Sequence, residues 1–389
     1  MRIAMLGTRG VPAAYGGFET AVEEIGARLA VRGHEVTVYG DRTHPHVTEH
    51  LGMRVVHVPA VPVKQLETLS RSGIATTLAI TGPRPDAAFV FNAANAPYVA
   101  LLRARGIPVA VHVDGLEWRR AKWGGAGRGY YRWAEQRSVR SADALIADAP
   151  GIADYYAREF GASTELIRYG APVLHRCSTR PLLALGLEPD GFHVAVARFE
   201  PENHVLEIVR GYRRSAAHLP LAVVGSAPYS AAYTRAVHEA AAGDDRIRLL
   251  GGVWDQELLD ALYAHARTYI HDHSVGGTNP SLLRAMGAGT ATIAFDVAFN
   301  REVLDDDAWR FADEAQLAAA IEDAEADDAL VIARGLRAHE RAAAQFRWGD
   351  VADGYEALAR RIADGESIHP RLRHARRAAP DARSDAVLL

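Results

Sequence analysis

The order of its segments constrains this chain most. A short apolar β-like run, a turn and a helix-like stretch recur in two long series. The first series has β-like runs at residues 2–6, 35–39, 54–58, 87–91, 109–113, 144–147 and 165–168. A helix with the face Phe18, Ala21, Val22, Ile25 and Leu29 follows the first run and ends at Gly33. Near residues 172–181 the pattern breaks into a polar, proline-containing connection. The second series then has runs at 192–197, 221–225, 246–250, 268–271 and 291–295, with helices beginning near His204, Tyr229, Asp255, Asn279 and Glu314. Strands alternating with helices pair in parallel, and ligands then enter at the carboxyl ends of the strands. The fold class is α/β. With 389 residues the chain exceeds what one hydrophobic core organises, so two domains are expected, at 1–175 and 176–345.

After Gln345, Phe346-Arg347-Trp348 leads into a helical pattern with Val351, Tyr355, Leu358 and Ile362, which sets apart a segment 346–366. The remainder, 367–389, is rich in arginine, alanine and proline and reads as a basic, weakly structured tail. Net charge is −4, which gives no support for wrapping nucleic acid. Cys177 is the only cysteine, so an intrachain disulfide framework and a Cys-rich zinc module are excluded. The opening Met1-Arg2-Ile3-Ala4-Met5-Leu6-Gly7 lacks the pattern of a secretory signal, and a cytoplasmic location is expected.

Four places invite chemistry. In His273-Ser274-Val275-Gly276-Gly277-Thr278-Asn279-Pro280, two glycines follow a strand, and Thr278 or Asn279 can cap a helix with Pro280 in its first turn. Free N–H groups and the helix dipole make this either an anion site or an ordinary turn. Gly16-Gly17-Phe18-Glu19 occupies the first strand-to-helix turn, where the glycines permit close backbone approach and Glu19 can accept hydrogen bonds from a polyol or simply charge a helix start. It is not a GxGxxG, so a nicotinamide enzyme is disfavoured. Asp114-Gly115 ends a strand on the same face as His112; Asp114 is a candidate for contact with a reacting hydroxyl or an Asx-turn residue, with His112 in the core. Arg198 ends a strand before Glu200-Pro201-Glu202-Asn203, suited to phosphate or to a surface ion pair.

Trp118-Arg119-Arg120-Ala121-Lys122-Trp123, followed by Arg128, Tyr130, Tyr131, Arg132, Trp133, Arg137 and Arg140, mixes aromatic and basic residues densely enough to bind an anionic lipid head group or a nucleic acid. From these residues alone the commoner arrangement is that long Arg stems and Trp rings cover the exposed side of a domain. His271-Asp272-His273 does not make a metal site, because alternation turns Asp272 away from the two histidines and no third ligand is evident.

With these residues in view, the chain resembles the retaining GT-B glycosyltransferases of family four, in particular the bacterial rhamnosyltransferases of cell-wall and capsular polysaccharides. The matching blocks are residues 7–20, Asp114-Gly115-Leu116-Glu117-Trp118, Arg198-Phe199-Glu200-Pro201-Glu202-Asn203, the stretch 273–286, and Phe295-Asp296-Val297 with Phe299-Asn300-Arg301-Glu302. The resemblance implies two Rossmann-like domains facing across a cleft, the acceptor on the first and the nucleotide sugar on the second, with the 346–366 helix returning to the first domain. It implies donor contacts from Gly16, Gly17, Arg198, Asn203, Gly276, Gly277, Thr278, Asn279 and Arg284, acceptor contacts from Glu19, Glu117 and Trp118, and catalytic roles for Asp114 and Arg198. No cofactor or metal is implied.

The substrates implied are a dTDP- or UDP-sugar, rhamnose foremost, and a glycan, lipid-linked or small-molecule acceptor, with peripheral attachment at the inner face of the membrane. A sugar-nucleotide epimerase and a catalytically silent nucleotide-binding paralogue are the alternatives. Three positions depart from the pattern of many relatives: Gly276 and Arg284 stand where they carry two glutamates, the second of which hydrogen-bonds the ribose, and Asn203 replaces a phosphate-binding lysine.

Overall fold

The structure, a computed structural model, describes residues 1–13, 16–61, 67–113, 116–120 and 123–369. The first domain runs β1 (Arg2–Leu6), α1 (Gly17–Val31), β2 (Glu35–Gly40), β3 (Glu49–His50), β4 (Met53–His57), α2 (Glu67–Thr81), β5 (Ala87–Phe91), α3 (Ala96–Ala104), β6 (Val109–His112), α4 (Gly125–Ser141), β7 (Ala144–Ala147), α5 (Pro150–Phe160) and β8 (Glu165–Leu166). Its eight strands lie in the order β3-β4-β2-β1-β5-β6-β7-β8. Only β3 and β4 pair antiparallel.

The second domain begins with the short α6 (Arg180–Leu183) and continues through β9 (His193–Val196), α7 (Val205–Arg214), β10 (Leu221–Val224), α8 (Ala231–Ala241), β11 (Ile247–Gly251), α9 (Gln256–Ala264), β12 (Thr268–His271), α10 (Pro280–Ala288), β13 (Ala291–Phe295), α11 (Ala298–Leu304), β14 (Ala308–Phe311), α12 (Glu314–Ala326) and α13 (Asp328–Gln345), before the closing helix α14 (Trp348–Ala363). Its six strands are all parallel, in the order β11-β10-β9-β12-β13-β14. In both sheets the chain reverses its direction of travel beside the first strand, β1 or β9, which opens a crevice at the carboxyl ends of those strands.

Alternation along the strands feeds two faces. Ile3, Met5, Val36 and Val38 pack with Val22, Ile25 and Leu29 of α1, while Ala4, Leu6, Val90 and Val111 face the opposite layer. The first cluster continues into the second domain through Ile167, Tyr169, Ala171, Phe346 and Trp348 to Leu282 and Met286. The chain crosses between domains twice, side by side, with the Ala171 N–H donating to the Phe346 carbonyl at 2.7 Å. Gly170 makes the approach possible, since a β-carbon there would lie 2.2 Å from the Trp348 ring. Val351, Tyr355, Leu358 and Ile362 of α14 are all buried in this cluster. Each large apolar side chain covered in this way contributes about 1.5–3 kcal/mol. Polar contacts fix the register of α14 on the first domain: Glu356 meets His34 at 3.0 Å and Arg32 at 2.8 Å.

Several elements were not singled out from sequence, among them the helices α2 to α6 and α11, the edge strands β3 and β14, and α13. The inner face of α13 is Val331, Gly335, Ala338 and Ala342, residues small enough for close backbone packing and too small for an apolar stripe.

Candidate functional site

At the carboxyl end of β12 the chain takes eight residues to reach α10. The Asn279 side chain caps that helix by accepting the Ser281 N–H at 2.9 Å, and Pro280 fills the first position, where its missing N–H is harmless. The Tyr269 hydroxyl meets the Ser281 hydroxyl at 2.8 Å and His271 Nδ1 at 3.0 Å, which ties the strand to the helix start. Gly276 stands at φ +136°, a conformation that L side chains rarely adopt, and a β-carbon on it would meet nothing within 4 Å. The turn therefore presents backbone to the cleft.

The first-domain turn comes to meet it. Gly16, at φ +107°, caps α1 and leaves room for the Glu19 carboxylate, which accepts the Arg9 N–H at 2.9 Å. Burial pushes the Glu19 carboxyl up and the Arg9 amide draws it back. A β-carbon on Gly17 would lie 3.0 Å from Pro280 Cγ, and the Tyr169 hydroxyl donates to the Gly17 carbonyl. Gly16 and Gly17 thus lie beside the opening of α10.

Arg198 follows β9. Its guanidinium stands 3.5 Å from the buried Glu200, which also accepts from the Tyr229 hydroxyl at 2.8 Å. Asn203 is fully buried, and its amide donates to the Arg198 carbonyl at 2.8 Å. It holds the Arg198 turn from beneath. His204 stacks on Phe295 at 4.7 Å and meets Ser274 Oγ at 2.8 Å, and Ser274 donates to the Glu202 carbonyl at 3.1 Å. These contacts stitch the Arg198 turn to the phosphate-type turn. His273, stacked on His271 at 4.8 Å, is held neutral by burial first, and then by His271, Arg120, Arg198 and His204.

Other candidates are spent differently. The Glu117 carboxylate pairs with Arg120 and accepts from Trp123 Nε1 at 3.4 Å. The Trp118 ring lies between Arg119, at 5.2 Å, and Arg132, at 5.1 Å. The Arg284 guanidinium is turned to Asp260 of α9, so the reversed charge has an intramolecular partner. His112 is a buried core histidine against Tyr355 at 2.7 Å, pushed down to about 4 by desolvation. Asp114 lies outside the described residues. Among the described residues, no group of three or more His, Cys, Asp or Glu side chains is placed to hold a metal.

Sequence reasoning gave no role to Asp148 or Glu302. Asp148, just after β7, lies against Gly277, and the Thr278 hydroxyl donates to its carbonyl at 3.3 Å. Burial and the Glu302 charge push its carboxyl up to about 7. Glu302 of α11 accepts the Gly151 N–H of α5 at 3.4 Å. The only local signal for Asp148 was a carboxylate at a strand end before Ala149-Pro150.

Comparison with known proteins places this geometry. A family model described as a glycosyl transferase 4-like domain matches residues 16–170, and one described as glycosyl transferases group 1 matches residues 192–327. The alpha-maltose-1-phosphate synthase of Mycolicibacterium smegmatis is 25% identical over 287 residues, 66% of this chain and 74% of that protein. Sucrose-phosphate synthase from Thermosynechococcus elongatus superposes with a TM-score of 0.81 at 23% identity, covering 93% of this chain and 98% of that one. Anabaena HepE, solved in complex with UDP-glucose, superposes with a TM-score of 0.75 at 16% identity, covering 92% of this chain and all of that one. These structural likenesses establish the fold, two Rossmann-like domains of the GT-B type.

Proposed function

The chain belongs to the glycosyltransferases of family four, and on that premise we propose that it moves a sugar from a nucleotide-diphosphate donor to a hydroxyl acceptor with retention of configuration. The observation that carries this reading is the meeting of two glycine turns, Gly16-Gly17 and Gly276-Gly277-Thr278, beside the start of α10, with the Arg198 turn tied to the second of them through His204 and Ser274. Backbone N–H groups, a helix N-terminus and guanidinium groups suit a diphosphate, and they stabilise it most when it carries the charge of a leaving group. The acceptor hydroxyl attacks from the face the diphosphate leaves, and Asp114 is the residue assigned to touch it or the donor sugar. Closure of the domains excludes water and suppresses hydrolysis of the donor.

Rhamnose from dTDP-rhamnose is the donor favoured by the sequence blocks; UDP-glucose, the ligand in the HepE structure, is its rival. Purified protein offered a panel of sugar nucleotides and a polyol or glycan acceptor is expected to release a nucleoside diphosphate only when both substrates are present. Formation of a new sugar nucleotide without acceptor would instead identify an epimerase. A protein that binds donors and turns none over would be a silent paralogue. Arg284→Glu sets two carboxylates against each other at Asp260 and is expected to weaken donor binding unless Asp260 is changed to Arg.

We also infer peripheral attachment to an anionic membrane. On α4, Trp133 is half exposed and shares a groove with Pro97, Arg137 and Arg140. Among the described residues no helix is long and apolar enough to cross a membrane. Flotation with anionic vesicles at low salt tests this, and absence of binding there excludes it.

A further inference from the structure

Asp148 stands apart from the other groups at the cleft. It is buried, and its Oδ1 has no hydrogen-bond partner. A β-carbon built on Gly277 would lie 2.6 Å from Oδ1 and 3.0 Å from Oδ2, so the carboxylate rests directly on the backbone of the turn. The Thr278 N–H is directed at the same carboxylate. A carboxylate from the first domain therefore lies against the Gly277-Thr278 backbone that a diphosphate would need. The groups that face it are Gly277 and Thr278 from the turn, Glu302 from α11, Tyr169 from the crossover and Tyr355 from α14. Glu302 carries a like charge, and no cation is among the groups acting on Asp148 in the described residues.

We propose that Asp148 competes with the donor diphosphate for the amides of this turn, so that donor binding takes up one proton at Asp148. The inference rests on the diphosphate reading of the turn. Two anions cannot share one buried set of amides, but a carboxylic acid can stay beside a diphosphate and donate its own hydrogen bond to a phosphate oxygen. Burial and Glu302 already place the carboxyl at about 7, so little is needed to keep it protonated. Donor is held more tightly below neutrality, and departure of the nucleoside diphosphate returns the proton.

Calorimetric titration of the full chain with UDP-glucose and with dTDP-rhamnose, at pH 6 and pH 8, tests the coupling. The diphosphate of a sugar nucleotide is a diester that does not titrate in this range. Buffers of different ionisation enthalpy count the protons exchanged. Affinity is expected to fall about tenfold from pH 6 to pH 8, with net proton uptake, and Asp148→Asn is expected to remove both effects while binding at pH 8 at least as tightly as the unaltered protein at pH 6. A flat pH dependence in the unaltered protein, or one that survives in D148N, overturns the proposal alone. If neither sugar nucleotide binds at either pH, the diphosphate reading fails and the proposal fails with it. Should D148N not fold, the proton count on the unaltered protein decides.

Discussion

Across the cleft, the junction between β7 and α5 faces the junction between β12 and α10. Both helices start with proline in the first position, and both end at a left-handed glycine, Gly161 or Gly289. The first junction is two residues, Asp148 and Ala149; the second is eight, with two glycines and an asparagine cap. The long junction closes its own helix start through Asn279 and still has amides to offer. The short one has no side-chain cap, and the N–H of Gly151 is met by Glu302 of the other domain. Each junction thus receives a carboxylate from across the cleft, Asp148 in one direction and Glu302 in the other. Loop length and glycine content distinguish two otherwise similar helix starts: the short junction takes Glu302 at an uncapped start, and the long one caps itself with Asn279.

Substitutions can break this pairing, and Arg198→Ala is expected to act most strongly. Losing the guanidinium beside the turn should lower kcat at least about 100-fold while leaving the melting temperature nearly unchanged, because the side chain is about a third exposed. Steady-state rates with the best donor and a thermal melt check both halves.

Asp148→Asn comes next. An acid whose folded value is raised loses stability as pH rises from its unfolded value, 3.8, through its folded value, about 7. The variant should therefore gain melting temperature over the unaltered protein across that window and hold the gain above it, up to a few kcal/mol. Equal melting curves at pH 8 would mean that the carboxylate is not buried in the ionised form's disfavour.

Gly277→Ala, which drives a β-carbon into the same carboxylate, should cost about 1–3 kcal/mol and weaken donor binding. Combining it with Asp148→Ala should recover part of the loss, and strict additivity in that double-mutant cycle would deny the contact. The smallest effect is expected of Glu302→Gln, about 0.3–1 kcal/mol at the α5 start, readable by chemical denaturation.

Legibility in the sequence followed how local each signal was. Residues 87–91 and 144–147 are uninterrupted apolar runs covered on both faces, and 291–295 is one broken only by the buried Thr292; they reappear as β5, β7 and β13 with the same limits. The Gly276 to Pro280 stretch was readable because glycine, a capping side chain and proline each act on the backbone beside them. Asp148 and Arg120 were not readable. The partner of Asp148, Gly277, lies far along the chain in the other domain, and only the docked pair of sheets brings them together; the partner of Arg120 is Glu117, three residues before it, a pairing set by how one short turn folds. Asn203 looked like a ligand group and is instead a buried brace, a difference set by which way one short turn folds.

The paired crossings at Gly170 and Trp348 carry a mechanical consequence. Two covalent strands fastened to each other at one edge of the interface act as a double pivot, which leaves the domains free to swing about a single line and resists sliding or twisting. Displacement under such a swing grows with distance from the pivot, and the Gly16-Gly17 turn, whose carbonyl is held by the Tyr169 hydroxyl of the crossing itself, is among the parts of the first domain that move least. The joint that hinges the two domains therefore also anchors one of the two glycine turns.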